Sequence, residues 1–369
     1  MIIDGNVRLS CSEDWSLDLS LLSNHSLSAV TMESCLLPLS AEQVEALAAT
    51  GVTGLTLDSS IITSELDKVD RLGTSLSHLS LVKCSLTDFT VSTLPTLPNL
   101  LSLNLSRNSL TVVPTRLRQF LSLITLDLSS NALTSLSFVF LPINIAHLIV
   151  SANLIQDVRL SPNLFNLALI DLSNNSLTQL NWLQQKNFPA TAETVLVPFN
   201  SLTDLTTDNF DFMPYLTLLD VSHNHIVAVE MAASPNRQSA MRRIIDLSEN
   251  PLVCNCHLAA LSTDPTQFWS YQTLPLCVHN STAVNMSDYG RELCVEDTSR
   301  DSGKINEEVK DTHTAVYMTI TVAGMFSQHA LYYSGTFCGL CESPVAVPTI
   351  AHTLTSIAHM CSQSVRSDC

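Results

Sequence analysis

The chain has 369 residues, more than one ordinary domain, but a repetitive chain grows along one axis and its length alone does not count domains. Charged residues are 14%, well below the roughly 25% of common globular proteins, so much of the polar surface falls to hydroxyl and amide groups. With 17 Lys and Arg against 34 Asp and Glu, the net charge of -17 repels phosphate backbones and argues against nucleic acid as a partner.

Residues 1–26 open with a stretch, Met1 to Ser10, that has one Arg and no apolar run long enough for a signal peptide. From Leu27 a pattern begins that is plainest at Leu100 to Leu110, LLSLNLSRNSL. Apolar residues take its first, fourth, sixth and eleventh places and Asn108 its ninth, giving L-x-x-L-x-L-x-x-N-x-L. The ninth place recurs at Cys35, Ser60, Cys84, Asn108, Asn131, Asn153, Asn175, Asn200, Asn224 and Asn250, about ten copies spaced 22 to 26 residues apart. The clearest copies start at Leu123, Leu167 and Leu216; those at Val52 and Ala192 are the weakest.

This is the pattern of a leucine-rich repeat, and the expected fold is an α/β solenoid: a horseshoe with a parallel concave sheet over residues 27–250. The L-x-L centre has the period of a short strand buried on one face, and the Asn that follows bonds backbone groups of the turn. Cys35 and Cys84, in the Asn slot, are expected to be inert core thiols.

A solenoid end exposes half a core and needs a cap. Directly after the last copy, NPLVCNCHL is followed by Cys277 and Cys294. Residues 251–295 resemble the cysteine-rich C-terminal flanking cap of extracellular leucine-rich repeat proteins, the group of Toll-like receptors, Slit proteins and small leucine-rich proteoglycans. That resemblance implies bonds from Cys254 to Cys277 and from Cys256 to Cys294. Zinc held by Cys254, Cys256 and His257 is the rival reading, but ligands one residue apart and the long gap to Cys277 fit neither usual finger spacing. The segment NVRLSCSEDWSLDL resembles the end of the family's N-terminal cap. Cys11 then expects a partner upstream, and the chain is expected to lack a signal peptide and half of that cap.

Beyond the cap, residues 296–312 are charged, free of apolar periodicity, and read as a linker. Residues 313–341 hold no Asp, Glu, Lys or Arg and are long enough to cross a bilayer once, although Ser327, Gln328 and His329 interrupt them. Cys338 and Cys341 sit at the end of that stretch, and residues 342–369 form a tail too short for a signalling domain.

No nucleophile elbow, phosphate loop, dinucleotide fingerprint or HExxH helix occurs, so the chain is expected to be non-enzymatic, with no catalytic residue, metal or cofactor assigned. Binding candidates come from the places that point off the concave sheet: the second, third, fifth, seventh and eighth. In the late copies these supply Asp171, Phe199, Asp220, His223, Asp246 and Glu249. Five N-x-S/T sequons fall at Asn24, Asn104, Asn174, Asn280 and Asn285; with Ser and Thr at roughly a fifth of residues, that number arises by chance. Glycans at Asn104 and Asn174 would nonetheless crowd the concave face.

The sequence thus points to an extracellular or plasma-membrane recognition module for a protein or glycan, a basic one by charge, acting as receptor or adhesion ectodomain in signalling or innate-immune-type recognition. Homo- or hetero-oligomers are compatible with it. The alternative is an intracellular leucine-rich repeat scaffold or regulatory subunit with every cysteine reduced; the missing signal peptide favours it and the four-cysteine cap does not.

Overall fold

In the computed structural model the described residues are 2–3, 5–11, 19–22, 25–37, 41–62, 66–161, 166–184, 188–206, 213–230, 243–256, 267–269, 276–285, 288–289 and 294. All of them lie in the first of two units, Met1–Lys304. The linker, the charge-free stretch 313–341 with Cys338 and Cys341, the tail with Cys361 and Cys369, His257 and Asn24 lie outside the described residues. Among the described residues no helix is long and apolar enough to cross a membrane.

One sheet of 13 strands runs the length of the unit. Its first pair, Ile2–Ile3 and Asn6–Ser10, is antiparallel, and every later neighbour is parallel. The pairing puts equal places of successive copies side by side, so Asn104 faces Asp127 and Asp171 faces Leu196. Each copy is therefore one coil, numbered here 1 (anchor Cys35) to 10 (anchor Asn250). The sheet passes both ends of the repeats: Asn6–Ser10 precedes coil 1, and Gln267–Trp269, inside the cap, follows coil 10.

The fourth, sixth and eleventh places fill the interior, as Leu103, Leu105 and Leu110 do in coil 4 with no exposed surface. Coil length varies on the outer side, where the α-helix Ala41–Ala49, short 3-10 turns such as Thr115–Gln119, and two-stranded pairs such as Ser135–Ser137 with Asp157–Arg159 alternate. Phe120 and Phe138, fully buried, fill the wider interior behind these turns.

Asparagine at the ninth place does more than end a strand. Asn153 is 6% exposed; its Oδ1 accepts the Leu133 N–H at 3.0 Å, while its Nδ2 donates to Leu128 O and Val150 O, both at 3.0 Å. The same geometry recurs from Asn108 to Asn250, so one amide ties each coil to the one before it. Ser60 is a short substitute whose Oγ accepts the Cys35 N–H at 3.2 Å. Cys84 donates its S–H to Leu57 O at 3.4 Å and Val82 O at 3.3 Å.

The cysteines bring one correction. Cys11 does not wait for an upstream partner: it bonds Cys35, which is therefore not an inert thiol. The cause is register. Ser10 pairs with Glu33, so Cys11 stands next to the ninth place of coil 1, and the Cα atoms are 4.9 Å apart, within bridging distance. In the C-terminal cap, Cys254 bonds Cys277 and Cys256 bonds Cys294, which leaves no thiolate at the rival zinc set. The Val253–Val278 bridge and the Cys254 N–H to Val278 O bond at 3.1 Å lay this cap along coil 10.

Cys84 is the free cysteine among the described residues and is buried. Burial, then the nearby Asp58 charge, pushes its thiol up from 9.0 to about 11, against an opposing bond from the Ser60 N–H. Since the folded value lies above the unfolded one, this group's contribution to stability is complete below pH 9 and is lost as pH rises towards 11. Two pH units also cut the reactive thiolate by about a hundredfold at pH 8. Peptide mapping after iodoacetamide labelling of the native chain should find Cys84 unlabelled when an unfolded control is fully labelled; equal labelling would contradict this environment.

Candidate functional site

The parallel register turns the candidate residues into two rows on the late coils. The fifth-place row runs Asp171, Leu196, Asp220, Asp246, each paired with the next. Asp171, Asp220 and Asp246 are half-buried, and the reason is structural: each Oδ1 accepts the N–H of the serine two residues on, Ser173, Ser222 and Ser248, at 2.9 Å. Asn104 and Asp127 make the same turn with Ser106 and Ser129 at 2.8 Å. One oxygen of each carboxylate thus holds the strand exit, and the other accepts no hydrogen bond from a described residue.

The eighth-place row runs Asn174, Phe199, His223, Glu249, all exposed. In every coil from Ser34 to Glu249 this place has a left-handed backbone, with φ between 51° and 56°. Such a backbone is uncommon for anything but glycine, and here the ladder bonds on either side of it impose it on ten successive coils. The conformation turns the side chain away from the sheet, so the row is free of packing duty and open to any residue type.

Two members of the row touch. Phe199 and His223 stack with ring centroids 4.2 Å apart and planes 9° from parallel, while Phe199 stays 48% exposed. The repeat pattern offers both residues as surface places but not their contact. The signal was there: they are 24 residues apart at the same place of adjacent coils. His225, the other half of the apparent His-Asn-His motif, is half-buried on the far side of Asn224 and does not join them. Among the described residues no group of three His, Cys, Asp or Glu could hold a metal.

The remaining sequons spread over the molecule. Asn104 is half-buried in the strand Ser102–Asn104; Asn280 is exposed at the tip of the hairpin Leu276–His279/Thr282–Asn285, and Asn285 is half-buried at its end.

A model of the leucine rich repeat matches residues 74–133. Podocan of Mus musculus is 30% identical over 156 residues, a stretch that is 41% of this chain and 24% of Podocan, so the match spans about a quarter of that relative. Among solved structures, a TLR13–ssRNA13 complex superposes with a TM-score of 0.50 at 19% identity over 72% of this chain and 43% of that one. The leucine-rich repeat domain of APL1B gives 0.49 at 22% identity over 73% and 90%. At these identities the likeness is one of fold. The chain folds as a leucine-rich repeat solenoid, and it carries disulfides at both ends of its array.

Proposed function

We propose that this protein is a non-enzymatic extracellular recognition module, a receptor or adhesion ectodomain tethered through residues 313–341, that binds a basic protein or glycan partner on the concave face of coils 7 to 10. The observation that carries this reading is the pairing of the two rows: three carboxylates, each with an unbonded oxygen, beside the exposed Phe199–His223 stack. Aromatic anchors next to accessible charge are what protein contacts favour. Acidic charge in excess over the whole chain adds attraction for a cationic partner and speeds its approach.

The sulfur chemistry supports the extracellular compartment. Three bridges among the described cysteines suit an oxidising environment and count against a reduced cytosolic scaffold. The charge-free stretch 313–341 is long enough to cross a bilayer once, which supports the tether.

Asp220→Asn with Asp246→Asn, made in an oxidising host compartment without N-glycosylation because the changes create N-x-S sequons ending at Ser222 and Ser248, is the informative test: asparagine keeps the acceptor that holds the turn, as Asn104 shows at the same place. The scaffold should be unchanged in circular dichroism. Screened against an array of extracellular domains, the parent should find a partner whose binding weakens with salt. The double variant should bind it about tenfold less tightly, the size expected of two exposed charge contacts. A partner that binds both forms alike at every salt concentration would remove this site from the reading.

A further inference from the structure

The Phe199–His223 stack has one covered face and one open face. The rings are nearly parallel and belong to adjacent coils, so the stacking direction runs along the row from coil to coil. His223 covers the side of Phe199 that faces coil 9. The other side faces coil 7, where the same place is held by Asn174, whose N–H bonds Pro198 O at 2.8 Å beside Phe199. Asn174 is exposed, has φ of 54°, and begins the sequon Asn174-Asn175-Ser176.

We propose that Asn174 carries an N-linked glycan whose first sugar rings lie against the open face of Phe199, making the modification a cover over the aromatic end of the concave site. The site rests on the extracellular reading above, since the transfer takes place in the secretory pathway. There the Asn174 Nδ2 forms a bond to the anomeric carbon of an oligosaccharide carried on a polyprenyl diphosphate. The bond from that carbon to the diphosphate breaks, the diphosphate leaves with its electron pair, and the amide gives up one proton.

Transfer reaches the sequon before folding, when Asn175 is not yet locked into its bonds to Val150 O and Leu172 O. After folding, the left-handed backbone at Asn174 holds the side chain off the sheet, so the sugar has room that a residue within the strand lacks. A pyranose presents a face of C–H groups, which is what an open aromatic face attracts, and neighbouring strands about 4.8 Å apart bring the two within reach. Glu249 at the other end of the row stays uncovered. A partner of the late coils would then meet the acidic end first and the aromatic end only when the glycan is absent or displaced.

Expression of the full chain behind a signal peptide in a eukaryotic secretory host tests this. Enzymatic removal of N-glycans in heavy-oxygen water marks each occupied asparagine by conversion to labelled aspartate. Marked Asn174 is expected, with Asn280 on its exposed hairpin as the internal reference for passage through the pathway. Asn280 marked and Asn174 unmarked would overturn the proposal and leave the extracellular reading intact. Neither marked, with Cys254 and Cys277 reduced, would overturn both.

Endoglycosidase trimming of the folded protein tests the contact. Phe199→Ala should trim faster at Asn174 by between about twofold and tenfold, the range set by the strength of such ring contacts, with the Asn280 rate unchanged. Alanine occupies this place in coil 6 with φ of 53°, so the backbone accepts it. Equal rates at Asn174 in the two proteins would refute the contact.

Discussion

Asn200→Ala should lower the stability of the array by about 2 to 4 kcal/mol, read as a drop in the denaturant midpoint at unchanged slope. The size follows from how the ladder shares its partners. Leu172 O accepts from both Asn175 and Asn200, and Val197 O from both Asn200 and Asn224, so each carbonyl keeps one donor after the change. The Leu177 N–H has no such reserve. Its partner among the described residues is the Asn200 Oδ1 at 2.9 Å, in surroundings where Asn200 is 5% exposed. One orphaned buried N–H costs about 1 to 3 kcal/mol, and the weakened carbonyl bonds supply the rest. Asn200→Ser should not recover the loss, because the serine at this place in coil 2, Ser60, accepts the ninth-place N–H of Cys35 and not the N–H two residues further on. A midpoint for the alanine variant equal to the parent's would show that the ladder is incidental.

Removing the first cap bridge with Cys254→Ala and Cys277→Ala together should cost about 2 to 5 kcal/mol. The bridge closes a loop of 23 residues, for which constraint of the unfolded chain accounts for about 3 kcal/mol. Packing adds to that: Cys254 and Cys277 are 7% and 2% exposed, and beneath them Leu247 and Leu252 close the last coil at 1% and 0%. Both cysteines must change together, since a single substitution leaves a thiol that can attack the Cys256–Cys294 bridge. The expected result is a lower midpoint together with earlier amide exchange at Leu247 and Leu252 than at Leu126 in the middle of the array. Uniform exchange across the three would mean the cap does not act locally.

The scaffold was legible because its chemistry is periodic. Leucines at fixed places and an asparagine every 22 to 26 residues leave few other ways to bury the one and bond the other. The site was legible only as places, not as contacts. Asp171, Asp220 and Asp246 read as an acidic face, yet half of each carboxylate serves the turn, a duty visible only once the Ser two residues on is seen to donate its N–H. Phe199 and His223 read as two surface residues because stacking depends on ring orientation, which no spacing encodes. The Cys11–Cys35 bridge was missed for a different reason: the strand Asn6–Ser10 has too few apolar places to register as a coil, so its register with Ala29–Glu33 could not be drawn.

The asparagine ladder also gives the array a polarity. From Leu86 to Ile226, the turn N–H of each coil is taken up by the asparagine of the coil after it, never the one before. At the end of the row Leu252 has no following asparagine, and its N–H turns instead to the carbonyl of Asn250 at 2.9 Å. Dependence therefore runs backwards along the chain: during synthesis a coil is completed only when its successor has emerged. A boundary cut between two coils strands that N–H on its upstream side, while downstream it frees the asparagine amide and the backbone donors that reach back, such as the Ala132 N–H on Leu110 O at 2.8 Å.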